Sequence, residues 1–223
     1  MKRLLTITAT IGALATSSMA HAQQATNMPA DTRHAVSVEA GLDSGVALGL
    51  GYAYRWRPSF WKHDILPYGR FGFPVAGFDL ADSSLEAGLR TTLWAYGNLR
   101  LQLTLGALLR NTKNRLFSAN AIGLQTTLLP GYQSERWGLM AELGYEKMFA
   151  TNLRHSELYK ETFYSEAKSG WYSDTAGTFR LGGRAGVRIA SVHLFVRLGT
   201  LLSEGGALHL PPFYGTLGAA YVF

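Results

Sequence analysis

From Val36 onward, apolar and polar residues alternate with a period of two. That is the pattern of strands whose two faces meet different media. The first predicted strand sets Val36, Val38, Ala40 and Leu42 against Ser37, Glu39 and Gly41, and Asp43-Ser44-Gly45 makes a tight turn. The second sets Val46, Leu48, Leu50, Tyr52 and Tyr54 against Ala47, Gly49, Gly51 and Ala53. The third, near Tyr68 to Val75, carries Phe71, Phe73 and Val75 on one face, with Pro67 and Pro74 blurring its ends. The fourth opposes Leu85, Ala87, Leu89, Thr91 and Leu93 to Glu86, Gly88, Arg90 and Thr92, before a Gly97-Asn98 turn. The fifth is a leucine ladder from Leu99 to Leu109, backed by Arg100, Gln102, Thr104, Gly106 and Arg110.

The sixth strand is expected over about Ser118 to Leu129, with Pro130-Gly131 opening a turn. The seventh sets Trp137, Leu139, Ala141, Leu143 and Tyr145 against Gly138, Met140, Glu142, Gly144 and Glu146. A polar segment, about Thr151 to Gly177, interrupts the alternation and reads as a long loop. The eighth strand has Phe179, Leu181, Ala185, Val187 and Ile189 against Arg180, Gly182, Arg184, Gly186 and Arg188. After Ala190-Ser191, the ninth has Val192, Leu194, Val196 and Leu198 against His193, Phe195, Arg197 and Gly199. Glu204 to Pro212 reads as a loop before the tenth strand. That last strand shows Phe213, Leu217, Ala219, Tyr221 and Phe223 on one face and Thr216, Gly218, Ala220 and Val222 on the other.

The two faces decide the fold class. The apolar face is long ladders of leucine and valine, whereas the other carries arginine, glutamate and glycine. A soluble lipocalin-like barrel would reverse them, with a dry apolar interior. Ten strands, an even number, suit a closed antiparallel up-and-down transmembrane β-barrel, apolar outside and polar inside; eight is the alternative. Short connections after strands four, six and eight agree with that topology. The long one after strand two, with Trp56, Phe60 and Trp61, is unusual for it.

The start of the chain points to export. Lys2 and Arg3 precede a short apolar run, and Ala20-His21-Ala22 supplies small residues for cleavage after Ala22. Residues 1–22 are read as a cleavable signal, 23–33 as a disordered leader and 34–223 as the barrel. The mature chain would be 223 − 22 = 201 residues, one domain by length. Its formal charge falls from +6 to +4 when Lys2 and Arg3 are removed. No recognition motif or basic helix accompanies that charge, so nucleic acid is not an expected partner. The absence of cysteine excludes a disulfide scaffold and a lipid-anchored cysteine.

The closing residues Thr216, Gly218, Tyr221 and Phe223 resemble the C-terminal assembly signal of small bacterial outer-membrane β-barrel proteins. That resemblance implies a place in the outer membrane, contact with its lipid and lipopolysaccharide, and recognition by a barrel-assembly machinery. It is a resemblance of architecture and carries over no functional residue.

The polar face holds the candidate chemistry. Arg90, Arg100, Arg110, Arg180, Arg184, Arg188 and Arg197 are expected to share the lumen with Glu39, Glu86, Glu142 and Glu146. Pairing would make a salt-bridged plug, because buried charges must be matched. The three unmatched arginines could instead line a narrow anion-preferring channel. A third possibility is a rim-located enzyme using His155, Ser156 and Asp174, with Glu157 and Glu161 nearby, but no Gly-x-Ser-x-Gly elbow occurs. Tyr159, Phe163, Tyr164, Trp171 and Tyr172 in the long polar segment suit an external interaction surface for an envelope protein partner. Nothing in the sequence asks for a cofactor or a metal. The expected role is therefore a structural or interaction component of an envelope complex.

Overall fold

The computed structural model describes residues 28, 31–42, 46–74, 82–173, 177–204 and 208–223. The predicted signal, the Asp43–Gly45 turn, Val75 and Asp174 fall outside them. The described residues form eleven strands: β1 His34–Leu42, β2 Val46–Tyr54, β3 Ile65–Pro74, β4 Ser84–Tyr96, β5 Leu99–Lys113, β6 Phe117–Gln133, β7 Trp137–His155, β8 Gly170–Ser173, β9 Gly177–Ile189, β10 Val192–Ser203 and β11 Leu208–Val222. A short helix, α1 Glu157–Thr162, precedes β8.

Ten of these strands close a ring. Each pairs antiparallel with its neighbour in sequence order, β7 joins β9, and β11 returns to β1. The eleventh, β8, adds four residues to the outer part of β7 only. The seam is bonded on both sides of the terminus: His34 N–H donates to the Phe223 carbonyl (2.8 Å) and Phe223 N–H to the His34 carbonyl (3.0 Å). The His34 ring stacks on Phe223 at 5.3 Å. The ten ring strands each have a partner on both sides, the condition for strands to cross lipid.

The exterior shows why this barrel belongs in a membrane. Val38, Leu50, Leu89, Leu105, Leu124, Leu143, Leu181, Leu198 and Leu217 are exposed around the ring. In water that would be a very large unprotected apolar band. Aromatic residues bound it. At the termini end lie Tyr52, Trp56, Trp94, Tyr96, Trp137, Tyr221 and Phe223; toward the far end lie Phe71, Phe149, Phe179 and Phe213. Phe213 to Phe223 covers about 33 Å of strand, or about 25 Å of height at an ordinary tilt, the thickness of the apolar band of such barrels.

The structure corrects the expected strand ends in three places, each with a local cause. The Pro130-Gly131 turn is absent: β6 runs on to Gln133, and the β6–β7 pairing skips Leu129 and Pro130, where proline has no N–H to give. The segment from Thr151 is not wholly loop. A bulge at Phe149 shifts the register, Ile122 facing Ala150 and Gly123 facing Met148. The parity of inward residues flips there, so Thr151 and Leu153 point inward and β7 continues to His155. The loop expected up to Pro212 is shorter, because β11 begins at Leu208.

The long connection after β2 is ordered into a flap at the termini end. Trp56 and Ile65 exchange backbone hydrogen bonds (2.8 and 2.9 Å). Arg55 and Arg57 both reach Asp64, at 3.1 and 3.0 Å, and Trp61 Nε1 donates to Thr91 Oγ1 (2.9 Å).

Candidate functional site

Glycine makes room for what fills the lumen. Many inward positions are glycines, and register sets several long side chains over a glycine of a neighbouring strand. A Cβ on Gly88 or on Gly106 would lie 2.8 Å from the Tyr68 hydroxyl. One on Gly199 would lie 2.6 Å from the Tyr214 hydroxyl, and one on Gly186 would lie 2.6 Å from His193 Nε2. Large rings therefore cross the interior without spreading the strands, an inside-facing version of aromatic-over-glycine pairing.

Charges occupy the space between these rings. The buried set comprises Arg70, Arg90, Arg110, Arg180, Arg184 and Arg197 with Glu39, Glu86, Glu142 and Glu146. Glu142 on β7 is the hub: its Oε2 accepts from Arg184 Nε and from Arg197 Nε, each at 2.7 Å, and Oε1 takes Arg197 Nη2. The Arg197 guanidinium also lies over the Tyr214 ring, 4.6 Å from its centroid. Glu146, two inward positions further along β7, takes Arg110 at 2.6 Å and Arg180 at 2.8 Å. Across the ring Glu39 Oε1 accepts from Arg70 Nε (2.6 Å). Glu86 Oε1 accepts from the Tyr68 hydroxyl (2.5 Å) and from the Gln125 amide. Arg90 Nε donates to Thr104 Oγ1 (3.2 Å) and lies over the Tyr68 ring. Charges buried in lipid-surrounded protein demand such partners.

The sequence-selected residues divide. The four glutamates and Arg90, Arg110, Arg180, Arg184 and Arg197 meet in this layer. Arg100 and Arg188 lie at the termini-side rim. Arg100 Nη1 donates to the Gly97 carbonyl (2.8 Å), and Arg188 is half-buried beside the β9–β10 turn. Arg70, Tyr68, Gln125 and Tyr214 belong to the layer and were not singled out by sequence. Pro67 and Pro74, both within β3, hide the parity that would place Tyr68 and Arg70 inward.

Apolar residues cap the layer. Met28, Ala35, Ala53, Tyr68, Phe195, Ala220 and Val222 cluster at the termini end. The Met28 carbonyl accepts from Arg55 Nη2 (2.5 Å), which holds Met28 at the mouth. Toward the far end, Leu108, Ala121 and Met148 cluster, followed by Phe117, Ala119 and Leu153. A cavity of about 590 Å³ opens at the termini-side mouth, lined in part by Arg55, Lys62, Asp64, Arg100 and Gln102.

At the far end, the five aromatics of the long segment take different places. Tyr172 packs on the Phe117–Leu153 cluster and donates to the Lys168 carbonyl (2.6 Å). Tyr159 stacks on His155 at 4.9 Å, and Ser156 Oγ accepts from Tyr159 N–H (3.2 Å) as the cap of α1. Trp171, Phe163 and Tyr164 face solvent, Trp171 at 64% exposure. Ser156 is thus used as a cap, and the His155 pKa is lowered from its ordinary value by partial burial, with Lys160 adding to the effect. Glu157 pairs with Lys160 (2.9 Å), and Glu161 is exposed. Among the described residues, no cluster of histidine, aspartate and glutamate could hold a metal.

No protein-family model matches the chain, and no curated protein matches it. Among solved structures, it is similar to Ail, the attachment invasion locus protein of Yersinia pestis, at 12% identity and a TM-score of 0.38, covering 86% of this chain and 99% of that one. It is also similar to the β domain of the Bordetella autotransporter BrkA, at 18% identity and a TM-score of 0.35, covering 85% of this chain and 98% of that one. The chain itself is a closed, ten-stranded transmembrane β-barrel with a charge-filled interior.

Proposed function

We propose that this protein is a closed outer-membrane barrel that anchors an interaction surface, as a structural component of an envelope complex. The observation that carries this reading is the lumen layer. Glu142 and Glu146 each tie two arginines from nearby strands, Tyr68 and Tyr214 fill space beside Glu86 and Arg197, and apolar clusters cap both sides. An interior filled to this extent serves rigidity rather than passage. The termini would face the periplasm and the far end the outside, consistent with the short turns on the termini side. The exterior band would meet lipid. Phe163, Tyr164 and Trp171 would offer an aromatic docking surface to an envelope protein or to lipopolysaccharide.

The test is the state of the protein in its own membrane. After gentle solubilisation, the wild-type barrel is expected in a larger assembly on a native gel. A variant with residues 157–173 replaced by a short turn should fold, shift normally on a heat-modifiability gel, and run as a lone barrel. A wild type that already runs alone would contradict the reading.

A second reading, a narrow anion-preferring channel, draws on one observation: within the lumen layer, among the described residues, six buried arginines face four buried glutamates. It requires ions to cross the layer that Glu142 organises.

A further inference from the structure

The termini-side rim carries an excess of positive charge. The chain entering β1 brings Arg33, the flap brings Arg55, Arg57 and Lys62, and the three tight turns bring Arg100, Arg136 and Arg188. Against these seven cations stand Asp31, Asp64 and Glu135 among the described residues, and four acids once the Phe223 carboxylate is counted. The cations concentrate at the flap. Arg55 N–H donates to the Arg33 carbonyl (2.7 Å), so these two residues lie opposite each other on adjacent chain segments, with Arg57 two positions on. Arg33, Arg55 and Arg57 line a cleft of about 150 Å³ with Tyr54 and Trp56. Asp64 reaches both Arg55 and Arg57, and Asp31 acts on Arg55. These carboxylates fix the flap and still leave guanidinium surface in the open: Arg33 is exposed, and the Arg57 side chain is 57% exposed.

Exposed rings accompany these cations on the lipid side. Trp61 Nε1 donates to Thr91 Oγ1, and Thr91 stands on the outward row of β4 with Leu85 and Leu89. The flap therefore touches the outer wall of the barrel. Trp56 and Phe60 pack edge to face at 5.9 Å, and both remain exposed, Phe60 at 74%. A soluble anion would satisfy the arginines and leave the rings in water. An apolar partner would cover the rings and leave the arginines unmatched. A phospholipid offers both groups, an anionic phosphate at the interface and acyl chains beneath it. Arginine forks suit phosphate oxygens, and the cleft has about ten times the volume that a single water needs. We propose that the flap binds a phospholipid of the termini-side leaflet. Its phosphate is held in the cleft by Arg33 and Arg57, and its acyl chains run beside Trp56, Phe60 and Trp61. The inference needs only that the barrel spans a membrane, and it holds whether the lumen is closed or conducting.

The test releases the purified, folded barrel from detergent micelles that contain equal amounts of phosphatidylglycerol and phosphatidylcholine. Native mass spectrometry then reads the lipid that the barrel keeps. Phosphatidylglycerol should be kept about tenfold in preference, because each cation near an anionic headgroup contributes a factor on the order of five. Arg33→Gln with Arg57→Gln, checked for folding by heat-modifiability, should cut that preference at least about fivefold. Arg33→Gln alone leaves both Asp64 pairs intact and should still lower it. Lys113→Gln with Arg115→Gln removes two exposed charges from the far end and should leave the preference unchanged. Equal retention of the two lipids, a loss of the same size in the far-end variant, or displacement of the lipid by excess inorganic phosphate would each overturn the proposal.

Discussion

The lumen layer and the far-end segment are built on opposite plans. In the layer, Glu142, Arg184, Arg197 and Tyr214 have lost nearly all contact with solvent, with Glu142 bonded to both arginines and Arg197 lying over Tyr214. In the segment from Ser156 to Ser173, one hydroxyl cap, a His155–Tyr159 stack and four residues of β8 hold a chain whose largest rings face outward. The difference locates where change is tolerated. Removing one member of the layer strands a buried charge, whereas removing an outward ring of the segment costs little stability and alters only what the surface presents.

The largest expected effect lies in the layer. Glu142→Ala leaves Arg184 and Arg197 buried together without their carboxylate, and should destabilise the barrel by about 3–5 kcal/mol in urea unfolding from detergent. A loss below about 1 kcal/mol would mean that solvent reaches the site freely. Next comes Tyr214→Ala, which empties the space over Gly182 and Gly199 and removes the ring under Arg197; about 3 kcal/mol should be lost by the same measurement. In contrast, Phe163→Ala and Trp171→Ala should each stay within about 0.5 kcal/mol of wild type. They should nevertheless weaken the larger assembly on a native gel, and a stability loss as large as that of Tyr214→Ala would erase the contrast between the regions.

The smallest effect is one of pH. The His155 pKa is lowered in the folded protein from the ordinary 6.5. Below that value the unfolded segment binds the proton more readily, so the stability that neutral His155 contributes is present at higher pH and is lost as pH falls through about 6.5. Amide protection of Tyr159 to Phe163 should weaken between pH 7.5 and 5.5. His155→Gln should flatten that dependence, and an unchanged slope in the variant would assign it to another group.

The same contrast governs what the sequence discloses. Strand number, closure and inside-out polarity are legible, because Val36 to Leu42 and Leu99 to Leu109 keep strict parity over several residues. The C-terminal face is legible too: Phe213, Leu217, Tyr221 and Phe223 point outward and Thr216 and Val222 inward, as the alternation indicates. Parity fails where a bulge intervenes. Phe149 inverts the outer part of β7, so Thr151 and Leu153 read as loop although they pair with Ala121 and Ala119. The candidate site is legible as a set of charges but not as a set of pairs. Which arginine meets Glu142 depends on the register of β7, β9 and β10 and on ring closure, and neither is written in local alternation. Tyr214 is hidden for the same reason: a tyrosine that lies over glycines becomes visible only once neighbouring strands are aligned.

The central claim is that the Arg–Glu layer closes the barrel to ions. Its most direct test is current through the purified wild-type protein in a planar lipid bilayer, with a salt gradient to read ion preference and folding verified by heat-modifiability. The account predicts insertion without steady conductance. Sustained, anion-preferring openings of the folded wild type, altered in preference by Arg184→Glu, would contradict it and establish the lumen as a conduit.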